Sequence, residues 1–223
     1  MLCEICLNAQ SITGLTGLVS IPTAEVMEYG KLTLGTSFYH KNYLNLYGGE
    51  NYNGLGSYIS LGLLPFVEIS FRLTRYLNYP QLQGIGDRMP SIRVKLLNEG
   101  DILPAFLLGA HDFFRTTDNL TSYNASTYLA LTKNFNLSGD DLIIKLDLGY
   151  GGFRLLKSTT YQFNGLFYGA SLKMFKNVEL IVENDALRFN GGLRVSLFNC
   201  ISFTAGLMSF RDFSGTISYS FLL

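Results

Sequence analysis

Between residues 66 and 75 the chain reads FVEISFRLTR, and apolar and polar positions alternate along it. Val67, Ile69, Phe71 and Leu73 fall on one side; Glu68, Ser70, Arg72 and Thr74 fall on the other. A period of two is what a β-strand projects onto opposite faces. The pattern returns four times. At 91–97, Ile92, Val94 and Leu96 oppose Ser91, Arg93 and Lys95; at 142–150, Leu142, Ile144, Leu146 and Leu148 oppose Lys145, Asp147 and Gly149. At 165–174, Leu166, Tyr168, Ala170, Leu172 and Met174 oppose Gly165, Gly169, Ser171 and Lys173, and at 188–197, Phe189, Leu193, Val195 and Leu197 oppose Arg188, Asn190, Arg194 and Ser196. Weaker alternation predicts strands at 31–40, 53–63, 104–114, 123–133, 178–184, 201–209 and 215–223. The stretch 104–114 is apolar on both faces, which leaves its facing open. The total is about twelve, and single-chain bacterial barrels have even strand numbers.

The connections supply a second pattern. Those after the first, third, fifth and seventh strands (41–52, 76–90, 115–122 and 151–164) are long and polar or aromatic. Those after the second, eighth and tenth (64–65, 175–177 and 198–199) are tight, and 98–103 and 134–141 are intermediate. Long loops at one end and short turns at the other are the habit of outer-membrane barrels, and place both chain ends on the periplasmic side.

Alternation alone leaves two folds open. In a soluble sandwich or lipocalin-like barrel the apolar face points inward. In a transmembrane barrel it points out to lipid. Composition favours the second. The chain is 48% hydrophobic but only 15% charged, which is sparse for a solvated surface. No apolar run is long enough for a transmembrane helix. The polar faces are rich in Gly, Ser and Thr, which suit a crowded lumen. Tyr29, Tyr39, Tyr76, Tyr123 and Tyr150 lie near strand ends, where an interfacial girdle would stand. The expected fold is an all-β, antiparallel transmembrane barrel of the outer-membrane type, with outer-membrane lipid as its first partner.

One barrel domain is expected over 11–223. Residues 1–10, MLCEICLNAQ, read as the remnant of an export signal, with Leu7-Asn8-Ala9 as its end and cleavage after Ala9. Cys3 and Cys6 fall in that remnant and Cys200 stands apart, so neither a disulfide framework nor a zinc site is expected. A net charge of zero and the lack of a basic stripe argue against nucleic-acid binding.

The candidate lumen-lining residues carry both signs: Glu68, Arg72, Arg93, Lys95, Lys145, Asp147, Glu179, Glu183, Arg188 and Arg194. Opposite charges on neighbouring strands pair. They form either a salt-bridged filling that stiffens the barrel or a narrow polar conduit. Nucleophilic machinery is not evident. His111 has no serine two positions away, and Ser37 lies on the opposite face from His40. A hydroxyl from another strand stays open, and with it a lipid hydrolase. The carboxylate pairs Asp140-Asp141 and Glu183/Asp185 lack the spacing of a calcium loop and read as turn caps. No catalytic residue, metal or cofactor is expected.

The segment 14–35, GLTGLVSIPTAEVMEYGKLTLG, resembles the opening of the YjbH-type exopolysaccharide-biosynthesis outer-membrane proteins, through Gly14, Gly17, Pro22, Thr23 and Ala24. The tight turn and Arg-bearing strand at 64–74 are similar to that family. So is the progression Asp87, Arg88, Lys95, Glu99, Pro104, Gly109, Asp112 and Phe113, and the run Glu183, Asp185, Asn190, Gly192, Leu193 and Arg194. The resemblance implies an outer-membrane barrel linked to export or surface assembly of an exopolysaccharide or capsule, with the polymer and other envelope export proteins as partners. The alternative is a closed structural or adhesive barrel whose loops bind a glycan or a partner.

Overall fold

The computed structural model describes residues 10–46, 51–78, 85–113, 125–138, 142–152, 163–175 and 177–223. Among them are twelve strands: β1 (Lys31–Tyr39), β2 (Gly54–Leu64), β3 (Val67–Tyr76), β4 (Ile85–Leu97), β5 (Ala105–His111), β6 (Ser126–Ser138), β7 (Leu142–Gly151), β8 (Gly165–Met174), β9 (Val178–Asn184), β10 (Phe189–Leu197), β11 (Ile201–Met208) and β12 (Asp212–Leu222). One short helix, α1 (Lys41–Leu46), follows β1. Each strand pairs antiparallel with its sequence neighbours, and β1 pairs with β12 from Lys31↔Leu222 to Phe38↔Gly215. The sheet is a closed barrel with no free edge, so every strand has a partner on both sides.

Burial decides which way the faces point. Leu34, Leu148 and Leu193 are 44%, 46% and 41% exposed, whereas Thr33 and Glu68 are 0% exposed. The apolar face therefore points outward around the ring and the polar face inward. This overturns the soluble alternative, since an aqueous barrel would leave its leucines in water and bury its charges. Among the described residues no helix is long and apolar enough to cross a membrane; the barrel presents its apolar belt with strands.

The hairpins follow local chemistry. Phe198 and Asn199 both have positive φ (53° and 55°), as do Ser209 and Phe210 (55° and 53°). Two consecutive left-handed residues make the I′ turn whose twist matches the flanking strands. The connections at 198–200 and 209–211 are correspondingly tight.

Three expectations change. Strand β4 starts at Ile85 rather than 91 and contains Pro90, which pairs with Phe71 of β3. The β4–β5 ladder begins only at Ser91↔His111, so Pro90 lies outside the stretch held on both sides. Strand β6 runs on to Ser138, taking in residues expected in a connection. Tyr39 is not interfacial. It is fully buried inside the barrel, while Tyr29 and Tyr150 stand outward; Tyr123 lies outside the described residues. The open facing of β5 resolves with Ala105, Leu107 and His111 inward and Leu108 outward.

Candidate functional site

Residues 10–27 lie inside the barrel, against its inner wall. Residues 10–24 are buried in an unbroken run, except that the side chains after it loosen at Glu25. They fold on themselves through the bridges Gln10↔Thr16 and Gly17↔Pro22. Ser11 N–H donates to the Leu15 carbonyl at 2.8 Å and Ile12 N–H to the Val19 carbonyl at 2.9 Å. So irregular a segment leaves many backbone groups without internal partners, and inside a barrel these must be met by the wall.

Charged wall residues meet them. Glu183 on β9 accepts the N–H of Val19 at 2.9 Å, the N–H of Ser20 at 2.9 Å and the Ser20 hydroxyl at 2.5 Å. Glu68 on β3 accepts both the N–H and the hydroxyl of Thr16 at 2.9 Å, and the Met27 N–H at 3.1 Å. Arg194 on β10 donates to the carbonyls of Gly17 and Leu18, both at 2.7 Å. Arg93 on β4 donates to the carbonyls of Thr16 at 2.5 Å and Glu25 at 2.6 Å. Carboxylates thus collect donors and guanidiniums collect acceptors. The charges also pair across strands: Arg93 with Glu68 at 2.5 Å and Arg194 with Glu179 at 2.7 Å, each pair in direct register. Lys145 reaches Glu25 at 2.7 Å, and Thr132 links the Ala24 N–H (2.7 Å) to Asp147 (2.5 Å).

Packing complements these bonds. A Cβ added at Gly169 would meet Leu18, and one added at Gly192 or Gly206 would collide with Val19. The wall glycines are sockets for apolar side chains of the inner segment. Elsewhere glycine makes room for aromatic rings on the adjacent strand, at Gly35↔Tyr58, Gly109↔Tyr128 and Gly149↔Phe167. Leu18, Val19 and Ile21 join Leu107, Tyr128, Phe163, Phe167 and Ile181 in the apolar core, which lies inside the barrel.

Of the ten candidate lumenal residues, Glu68, Arg72, Arg93, Asp147, Glu183 and Arg194 are buried and inward-facing, with Lys145 and Glu179 nearly so. Lys95 is half-buried beside Leu107 towards the short-turn end. Arg72 lies over the Tyr39 ring at 5.4 Å, and the Tyr39 hydroxyl donates to the Ile12 carbonyl at 2.5 Å. Arg188 sits in the 185–188 connection, 3.1 Å from Asp185, with its guanidinium 4.8 Å from the Tyr43 ring centre. Burial pushes the Tyr43 phenol up, against the pull of Arg188. Asp185 caps its own turn by accepting from Leu187 at 3.1 Å and Arg188 at 2.8 Å. Asp112 closes β5 with positive φ (48°). Gly14 also has positive φ (90°), and its carbonyl accepts from Ser60. Residues 1–9 and Asp140-Asp141 lie outside the described residues.

Two features lay beyond the sequence reading. A hydroxyl partner for His111 stands on the neighbouring strand, where Ser91 Oγ is 3.0 Å from its Nδ1. The pair is fully buried beside Tyr128 and Phe163, whose ring centres lie 5.1 and 5.7 Å from the imidazole. His40 faces Asp212 at 3.8 Å instead. The second feature is a row of lumenal polar side chains in register, hydroxyls but for His111: Ser220↔Thr33↔Ser60↔Ser70↔Ser91↔His111↔Ser126. It begins near the ends of β12 and β1 by the short turns and finishes at the opposite ends of β5 and β6, so it climbs the wall. Period two gives the facing of Ser70 and Ser91 on their own strands; only the register joins them to the rest.

A family model described as "YjbH: Exopolysaccharide biosynthesis protein YbjH" matches residues 9–190. The chain belongs to the YjbH family. The match spans the buried inner segment, with Gly14, Gly17, Pro22, Thr23 and Ala24, and strands β1 to β9, the stretch in which Glu68 and Glu183 lie. No curated protein matches the chain. Among solved structures, the Acinetobacter baumannii outer membrane protein Omp33 is similar with a TM-score of 0.47 and 9% identity, over 88% of this chain and 99% of that one.

Proposed function

We propose that this YjbH-family barrel resides in the bacterial outer membrane and supports export or surface assembly of an exopolysaccharide as a closed barrel. The observation that carries the closed state is the clasp of Glu183, Glu68, Arg93 and Arg194 on residues 16–27. Charges that would tune a conduit are spent on the inner segment. The working surfaces are then the long connections, which would bind glycan or envelope partners. The reading is non-enzymatic, since Ser91 and His111 are sealed in the core. Planar-bilayer recording of pure protein tests it: steady conductance of the unaltered barrel overturns the closed state. Surface polymer from cells that lack the protein tests the pathway, and unchanged polymer removes it.

A second reading keeps the lumen as a route. It is favoured by the climbing hydroxyl row, which would offer a sugar polymer hydrogen-bonding partners from one end to the other once residues 10–27 leave. Conductance that appears only in clasp variants, and is blocked by added exopolysaccharide, would select it.

A further inference from the structure

Gln10 is 1% exposed, inside the lumen, and bridged to Thr16. Neither its side-chain nitrogen nor its side-chain oxygen has a hydrogen-bond partner. Directly before it stand Leu7, Asn8 and Ala9, with the small residue that export-signal cleavage requires at its last position. The family match begins at residue 9. We propose that the mature chain begins at Gln10 and that this residue is cyclised to pyroglutamate.

The chemistry follows from the location. A chain cut after Ala9 starts with an α-amine of pKa about 8, largely cationic near neutrality. Burying an ammonium costs several kcal/mol unless an anion meets it. Of the inward carboxylates, Glu68, Glu179, Glu183 and Asp185 already hold arginines or N–H groups, and Asp147 takes the hydroxyl of Thr132, which itself accepts the Ala24 N–H. An N-terminal glutamine has its own way out. The α-nitrogen attacks the side-chain amide carbon, a C–N bond forms to close a five-membered lactam, and the old amide C–N bond breaks with ammonia leaving. The α-nitrogen's lost proton goes with the ammonia, so no oxidant or co-reactant is needed. The product is neutral, and the unpartnered Nε2 is gone. Cyclisation takes place on the extended chain, before the lumen closes over its end.

Intact-mass and N-terminal peptide analysis of the protein purified from outer membranes tests the proposal. The expected terminal peptide starts at residue 10, is lighter by one ammonia than the glutaminyl form, and resists stepwise degradation from the N-terminus until pyroglutamyl peptidase treats the denatured chain. Retention of residues 1–9, or a free Gln10 amine, overturns it. A Gln10→Ala variant, which keeps the cleavage site but cannot cyclise, should show at least a several-fold faster proteolysis of the inner segment in the folded barrel. Unchanged proteolysis with a free alanine amine overturns the idea that the lumen demands a neutral end. Both readouts are independent of conductance, so they stand or fall apart from the closed-barrel reading.

Discussion

Glu183 and Ser20 are joined by backbone and side chain at once: Ser20 N–H lies 2.9 Å and its hydroxyl 2.5 Å from the same carboxylate oxygen. They are 163 residues apart, and the contact pins the first part of the chain to a strand near its end. The Glu183→Ala variant leaves the Val19 and Ser20 N–H groups without their acceptor in the lumen. Hydrogen bonds to charged groups are each worth about 1.5–3 kcal/mol, so a loss of about 3 kcal/mol is expected. Denaturant unfolding in detergent micelles measures it, and an unchanged midpoint would show the clasp to be dispensable.

Arg93 and Glu68 form a pair with no exposure on either side chain. Removing only the guanidinium, as in Arg93→Met, strands a carboxylate and should cost about 3–5 kcal/mol. The double variant Glu68→Gln/Arg93→Met should recover a substantial part of that loss, because an uncompensated charge is worse than none. Additive losses in the double-mutant cycle would contradict this coupling.

Val19 occupies the space that Gly192 and Gly206 leave open. Gly192→Val would force it out, with overpacking of about 1–3 kcal/mol. Val19→Gly in the same chain should relieve much of that strain. The two-variant rescue, followed by protease cleavage within residues 10–24, separates displacement of the inner segment from damage to the wall.

Glu99, in the connection between β4 and β5, accepts from Asn134 N–H at 2.8 Å and Asn134 Nδ2 at 2.7 Å, with Lys133 at 3.2 Å. Partial burial works against the charged form, but these bonds prevail and hold the carboxyl below its ordinary value. A depressed folded pKa stabilises the protein above the unfolded value and loses that contribution as pH falls through the folded one. Wild type should therefore exceed Glu99→Gln in thermal midpoint at neutral pH, and the gap should close in acid. A gap that widens on acidification would reverse the sign and refute the assignment.

The wall was legible because a barrel strand carries its signal in every second residue. Phe71 and Arg72 alternate as any half-buried strand requires, and ten candidate charges followed from parity alone. The inside-outside choice was not contained in parity; it needed sparse charge as a hint and exposure at Leu34 and Leu148 to decide. The inner segment escaped because residues 10–24 have no period to read and no charge of their own. A signal did exist. Glu68, Arg93, Glu183 and Arg194 are too many buried charges for a lumen filled only by one another, and an uncharged stretch rich in glycine and hydroxyls is the kind of backbone that could satisfy them. Tyr39 was misplaced for a related reason: its position near a strand end suggested lipid, whereas its parity with Thr33 and Ser37 sends it inward. Distances across the sheet, such as Ser91 to His111, depend on register, which turn lengths left free by a residue or two.

The seam between β1 and β12 is fastened beside the inner segment. Lys31 pairs with Leu222, and Leu223 N–H donates to the Gly30 carbonyl at 2.9 Å. Residues 10–27 are tethered directly to the first staple of that seam. The polypeptide that lies inside the ring and the strand that closes it are therefore one continuous piece, and residues 28–30 are the covalent joint between filling and wall.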